Sequence, residues 1–349
     1  MACEISFLPV GNADCIVIHA DDSLVIVDLG KDPRFIYNWL RRREFNRIDR
    51  IYITHNHRDH FPFSSLKKLV DFLELWFSNG SEIGIFSLPL GIYGDAFNKL
   101  HVFEQTDHQR YQELKDAIDR LGDWDLSGRV ESVPAFRDPT PYSLADLEIH
   151  TLHPRQIFIE RHKGRMNEIS LVLRIKYGEF VVMLLSDLEG EGLKDYLSVA
   201  KANSSVNQEA KANIVKIPHH GGFPSNGDDL RKLLALIDAE LAVLSVGSTN
   251  QHGHVKSELF KALIELQNNS AKRLMKFICT EVTRTCVHSA SARAGIDRKG
   301  LPAPKKCAGE ITIVAEISGE WQLKVETPDH PSKVSSFSYP ACIGRAELD

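Results

Sequence analysis

The sequence predicts an α/β protein built as a four-layer αββα sandwich, and two observations carry that prediction. Short apolar runs bounded by Gly, Asn or Asp recur in two stretches of the chain, and in both they are followed by segments with apolar residues at helical spacing. Two αβ halves of similar make-up bury both sheets best by packing them face to face with the helices outside. Composition agrees: of 349 residues 43% are hydrophobic and 26% charged, which excludes a disordered or collagenous chain.

Taken in order, residues 5–9, 15–19 and 23–28 read as an opening β-meander. Residues 33–42 show helical spacing through Phe35, Ile36, Trp39 and Leu40, and residues 50–54 form a buried strand leading into a histidine-rich loop. Ser64 or Ser65 can cap a helix carrying Leu66, Leu69, Val70, Leu73, Trp76 and Phe77. Residues 80–138 hold a short strand at 83–88 and a charged amphipathic helix at 105–121, with no chemistry assigned to them. Strands are expected again at 147–152, 170–176, 180–185, 214–217 and 241–246, with helices near 188–201, 228–237 and 256–268. The main domain is placed at 1–268. Residues 269–349 are read as an extension packing on it, with 329–349 an irregular tail.

The longest apolar runs hold about five or six residues against the roughly 20 that cross a bilayer, so no membrane span is expected. The start, Met1-Ala-Cys-Glu, lacks a basic segment followed by an apolar one, and the six cysteines are widely scattered. A cytoplasmic location is the expectation. The net charge of -5 argues against a basic coat for wrapping nucleic acid, while leaving room for a local basic cleft.

The strongest chemical signal is His55-Asn-His57-Arg-Asp59-His60, directly after a strand. Clustered histidines disfavour one another's protonation, and a metal removes that difficulty. His55 and His57, two apart on an extended segment, face the same way and can reach one ion, while Asp59 and His60 can address a second beside it. The remaining ligands should stand at later strand ends. Asp187 follows a very apolar strand, and a carboxylate there can bridge two cations. His219-His220-Gly-Gly follows another strand, and the segment 245–254 ends on His252-Gly-His254, of which His254 is preferred.

The order of these motifs resembles the metallo-β-lactamase-fold hydrolases, and among them the competence-protein (ComEC-type) branch. The likeness runs from Phe7-Leu-Pro-Val-Gly11-Asn-Ala-Asp14 and Asp28-Leu-Gly30 through His55-x-His57-x-Asp59-His60, Asn167-Glu-Ile-Ser170, Leu184-Leu-Ser-Asp187, His219-His220-Gly-Gly and Gly253-His254. It implies a binuclear metal centre between the sheets and hydrolysis by a metal-bound hydroxide. Two departures follow from the same comparison. Asn167 holds the place of a further histidine of the superfamily and, as a harder amide ligand, suits manganese or magnesium better than zinc. Ser186 replaces a usual glycine before the bridging aspartate, and Phe223 replaces a usual small residue after the glycine pair.

These readings assign His55, His57, Asp59, His60, Asn167, Asp187 and His219 to two divalent ions, zinc or manganese before magnesium. Asp59, His220 and His254 are assigned to catalysis, and Asp28 to orienting a ligand imidazole. Arg161, Lys163 and Arg165 form a candidate phosphate clamp. Two metals roughly 3.5–4 Å apart would align a water for in-line attack on phosphorus. The expected function is a phosphodiesterase or nuclease acting on nucleic acid or nucleotides. The alternatives are an esterase or lactonase (including a phosphocholine-type esterase) on the same metals, and a partner-activated or non-catalytic subunit of a nucleic-acid or phage-defence assembly. Cys279, Cys286, His288 and Cys307 make a loosely spaced candidate zinc set that reads first as buried thiols, and His153 reads as structural.

Overall fold

The computed structural model describes residues 2–55, 57, 59–61, 66–89, 130–133, 142–162, 165–202, 210–249, 252–269, 276–287, 293–296 and 302–336. Its strands are β1 (Ala2–Phe7), β2 (Ile16–Ala20), β3 (Ser23–Val27), β4 (Arg47–Tyr52), β5 (Glu82–Pro89), β6 (Val130–Val133), β7 (Tyr142–Leu144), β8 (Leu147–His153), β9 (Val172–Tyr177), β10 (Phe180–Leu184), β11 (Ile214–Lys216), β12 (Leu241–Leu244), β13 (Lys276–Cys279), β14 (Ala294–Ile296), β15 (Pro302–Pro304), β16 (Ile311–Glu316) and β17 (Trp321–Val325). The helices are α1 (Arg34–Arg42), α2 (Leu66–Ser78), α3 (Gln156–Arg161), α4 (Gly190–Ala202), α5 (Gly227–Ile237), α6 (Ser257–Asn269) and α7 (His330–Ser335).

Among the described residues the strands form two mixed sheets, β17-β16-β1-β2-β3-β4-β5-β6 and β13-β12-β11-β10-β9-β8-β7, beside a small β14-β15 ribbon. Strands β3 to β6 run parallel, as do β10 to β13. The period of two sorts side chains into three apolar layers. Ile16, Ile18, Val25 and Val27 of the first sheet meet Leu173, Ile175, Val182, Ile214 and Val243 of the second between the sheets. Val17, Leu24 and Ile26 face the other way onto Ile36, Trp39 and Leu40 of α1 and Phe72, Leu73 and Trp76 of α2. Val215, Ala242 and Leu244 likewise meet Leu193 of α4, Leu230 of α5 and Leu259 of α6. Strands covered on both faces need no polar side, which is why these segments read as continuous apolar runs.

The chain beyond residue 268 adds strands to both sheets: β13 pairs with β12, and β16 pairs with β1. Trp39 Nε1 donates to Glu310 Oε2 at 2.9 Å, tying α1 to the same late segment. The tail begins with α7, whose His330 and Val334 are buried, and residues 337–349 lie outside the described residues. The turn after β10 is longer than expected, because α4 starts at Gly190 and leaves Asp187 to Glu189 outside the helix. The predicted helix at 105–121, the proposed Ser64 or Ser65 cap and His288 lie outside the described residues. No helix of the described residues is long and apolar enough to cross a membrane.

His153, at the end of β8, is 1% exposed and donates through Nε2 to the Glu168 carbonyl at 2.9 Å. Burial brings its pKa down from 6.5 to about 4. The unfolded chain therefore takes up a proton that the folded chain refuses. The stability tied to this residue is whole above about pH 6.5 and falls as the pH drops toward 4, by up to roughly 3 kcal/mol. Denaturant unfolding at neutral pH and near pH 4.5 should show a smaller acid loss in His153→Gln than in the unaltered chain. Equal slopes would remove His153 from the acid response.

Candidate metal centre

The parallel strands of both sheets end at one edge, and the chemistry-bearing loops follow their carboxyl ends. Asp28 follows β3, His55 to His60 follow β4, Asp187 follows β10, His219 and His220 follow β11, and His254 lies beyond β12. Such an edge is where open α/β folds place their sites. Backbone strain gathers at the same edge. Asp28, Ser186, His219 and His220 all have φ between +48° and +60°, a conformation costly for a residue with a Cβ. At Ser186 this is the physical reason a glycine would be at ease there.

Three buried imidazoles define the centre. His60 Nδ1 lies 2.7 Å from Asp28 Oδ2, and Asp28 is held in turn by the Thr54 backbone N–H and hydroxyl, each at 2.8 Å. His220 donates through Nδ1 to the Ser245 carbonyl at 3.0 Å. His55 Nδ1 faces the hydroxyls of Thr54 at 3.2 Å and Ser186 at 3.5 Å. Each ring is thus engaged at Nδ1, and in all three Nε2 is buried without a hydrogen bond. Those nitrogens converge on Asp187: His60 Nε2 is 3.2 Å from Oδ1, His220 Nε2 3.7 Å from Oδ1 and His55 Nε2 3.9 Å from Oδ2. Ligand-capable atoms of His55, His57 and Asp187 lie within 4.8 Å of one another, and so do those of Asp59, His60 and His220.

Charge is balanced at close quarters. Burial raises the pKa of Asp187, but the His60 and His220 charges outweigh it and hold the carboxyl well below its usual range. Burial lowers the pKa of His60, and Asp187 and Asp28 more than reverse that. His55 stays neutral because burial and the His60 charge both press its pKa down. Carboxylate-bearing clusters whose buried imidazole Nε2 atoms make no hydrogen bond fit metal binding, since a buried polar atom left unpaired is otherwise costly.

No family model matches the chain, and no curated protein matches it. Solved structures do. The chain is similar to CmlA, a diiron beta-hydroxylase from Streptomyces venezuelae, at 16% identity over 79% of this chain and 53% of that one, with a TM-score of 0.48. It is similar to the metallo-beta-lactamase fold protein YhfI from Bacillus subtilis at 10% identity, over 74% of this chain and 93% of that one, TM-score 0.42. A third is Igni18, a metallo hydrolase from Ignicoccus hospitalis, at 14% identity over 80% and 95%, TM-score 0.42. The chain spans about half the length of CmlA.

The two adjacent histidines stand in different surroundings. His220, assigned from sequence to catalysis, is fully buried and closes the second triad. His219, assigned to metal, is 30% exposed, is held by Glu189 at 2.9 Å and stands 4.0 Å from Asp187. The cause is the left-handed conformation of both residues in the 3₁₀ turn Pro218–Gly221, which sends neighbouring side chains to different sides. Asn167 donates to Glu189 Oε1 at 2.7 Å, and its Oδ1 is buried without a partner. Of the proposed phosphate clamp, Arg165 is ion-paired to Glu168 at 3.2 Å, Arg161 is exposed at the end of α3, and Lys163 lies outside the described residues. Phe223 packs on Gly227 at the start of α5. No cysteine joins a metal-capable group among the described residues, and the buried Cys307 thiol instead stands 3.5 Å from His330 Nε2.

Three residues without a role in the sequence reading support the centre. Lys216 is fully buried at the end of β11, pairs with Asp14 and donates to the Ser186 carbonyl at 3.0 Å. Asp14 in turn receives its place from its own N–H, which bonds the Asp59 carbonyl at 3.2 Å, and it reaches within 3.7 Å of His60 from the Nδ1 side. Glu189 bridges Asn167 and His219. The available signal was a lysine inside an otherwise apolar strand, Ile214-Val-Lys216-Ile217, which has to find a carboxylate if it is buried.

Proposed function

We propose that the chain is a hydrolase dependent on two divalent ions that cleaves phosphodiesters in nucleic acid or nucleotides, of the competence-protein type. The observation that carries this reading is the convergence of three Nδ1-anchored imidazoles on Asp187 beside Asp59. In it, His55, His57 and Asp187 would hold one ion and Asp59, His60 and His220 the other, with Asp187 close to both sets and Asn167 Oδ1 available as a further oxygen donor. Zinc, manganese and magnesium all accept parts of this donor set. Two such ions would supply Lewis acidity and activate water near neutral pH.

The chain's own groups do the rest. Asp28 and the Ser245 carbonyl keep protons on Nδ1 of His60 and His220, so that Nε2 presents a lone pair to the ion. His219 lies outside the triads with Glu189 on its Nδ1, which raises the basicity of Nε2 and suits it to hand a proton to the leaving oxygen. His254, with its ring centroid 5.2 Å from that of His219, lines the same side and can donate to a phosphoryl oxygen.

The test is metal analysis of purified protein together with hydrolysis of bis-p-nitrophenyl phosphate and of single- and double-stranded DNA and RNA in zinc, manganese and magnesium. About two ions per chain with phosphodiester cleavage is the expected result. Bound ions with lactone or carboxylester cleavage alone would transfer the site to the esterase reading.

A further inference from the structure

A second feature lies beside the metal centre, on the side of His254. Gly253 has φ +69°, and a Cβ built there would stand 3.5 Å from Arg284 Nη1 and 3.8 Å from Lys256 Nζ. Two cations therefore converge on one bare stretch of backbone. Lys256 Nζ donates to the His252 carbonyl at 2.8 Å, but neither cation forms an ion pair among the described residues. Lys194 with Glu191 and Lys232 with Asp229 show the alternative, an exposed ammonium paired to a carboxylate three residues before it. Like charges held together repel, and an anion between them reverses the sign of that interaction.

The backbone holds both cations in place relative to the centre. The Lys256 N–H bonds the carbonyl of Gly221, the residue after His220, at 3.0 Å. Thr285, next to Arg284, donates its hydroxyl to the Val255 carbonyl at 2.5 Å, and the turn is anchored by buried Thr283 and Cys286. His254 sits between this pair and His219, which faces Asp187. A row of donors thus leads outward from the triads.

We infer that Lys256 and Arg284 form a phosphate subsite that takes a phosphate adjacent to the one at the metal centre, so that the substrate carries more than one phosphate. The inference rests on the phosphodiesterase reading for the meaning of the neighbouring site. Guanidinium and ammonium groups meeting over an open glycine suit a phosphate through charge-assisted hydrogen bonds. The omission of a side chain at Gly253 keeps that space clear.

The test is binding of a short fluorescein-labelled phosphorothioate oligonucleotide to metal-replete protein, followed by anisotropy across a salt series. Arg284→Gln and Lys256→Gln should each weaken binding about tenfold, and each should lower the slope of log affinity against log salt by roughly 0.7–1. Arg284→Lys and Lys256→Arg should retain most of the affinity, and thermal melts check that all variants are folded. Lys194→Gln with Lys232→Gln serves as a control for general charge. Unchanged binding in the Arg284 and Lys256 variants, or an equal loss in the control, overturns the subsite. Competition with inorganic pyrophosphate separates two sources of the same chemistry: displacement points to nucleoside polyphosphates and its absence to a polynucleotide backbone, and either result supports the subsite. Cleavage by the unaltered protein judges the hydrolase reading separately. A loss of binding in a protein that cleaves nothing would leave the subsite standing and remove the phosphodiesterase.

Discussion

Asp187→Asn is expected to lower metal affinity by more than the roughly 10–100-fold that loss of an outer hydrogen-bonding partner costs a metal site. Turnover should fall by at least about 1,000-fold, because the ions supply several kcal/mol of charge stabilisation in the transition state and each 1.36 kcal/mol is about tenfold in rate. The reason lies in the position of the carboxylate: it belongs to the first triad and lies within 3.7 Å of Nε2 of both His60 and His220 in the second. The ion-free protein should remain folded, since asparagine keeps the shape of the side chain and His60 retains the Asp28 carboxylate at 2.7 Å. The readouts are ion content, the rise in melting temperature on adding metal, and hydrolysis of bis-p-nitrophenyl phosphate. The metal-induced rise should vanish with the activity. Two ions and full turnover in Asp187→Asn would exclude this centre as the active site.

Lys216→Met is expected to cost about 3–5 kcal/mol of stability in chelator, the usual consequence of removing one partner from a buried ion pair. Methionine fills much of the same volume, so the loss is chiefly electrostatic. Asp14 Oδ2 would keep only His60 Nδ1, at 3.7 Å, and the Ser186 carbonyl would lose one of its two donors, retaining the His219 N–H at 2.9 Å. Adding Asp14→Asn should recover a large part of the loss, and denaturant unfolding of both single variants and the double variant measures that coupling. A cost below about 1 kcal/mol, or no recovery in the double variant, would show that the pair does not brace the centre. The pair joins the β1–β2 loop, the Asp187 turn and the end of β11, so its loss should also loosen metal binding.

Much of this site was open to a reader of the sequence alone. His55, His57, Asp59 and His60 are local to one another, and a strand that ends in alternating histidines has few other uses. Asp187 and the His219-His220 pair were equally visible, because the strand before Asp187 is wholly apolar, the one before His219 is apolar apart from Lys216, and polar residues at their ends stand out. Asp28 was named as an orienting residue and does stand against His60 Nδ1. The buried pairing of Lys216 with Asp14 spans 202 positions, and no local pattern couples residues so far apart.

The order of amino acids suffices for the two-sheet architecture and for the edge at which the candidate ligands collect, because side-chain periodicity and strand-end position are properties of short segments. The choice between His219 and His220 needed the folded chain, since it depends on two left-handed backbone conformations and on the Ser245 carbonyl that claims one ring. So did the finding that residues after 268 add strands to both sheets, because strand partners are chosen by long-range packing and by the register of an existing edge. Folding alone brought Arg284 to Lys256, for a charged residue on an exposed turn carries no sign in the sequence of what it will meet in space.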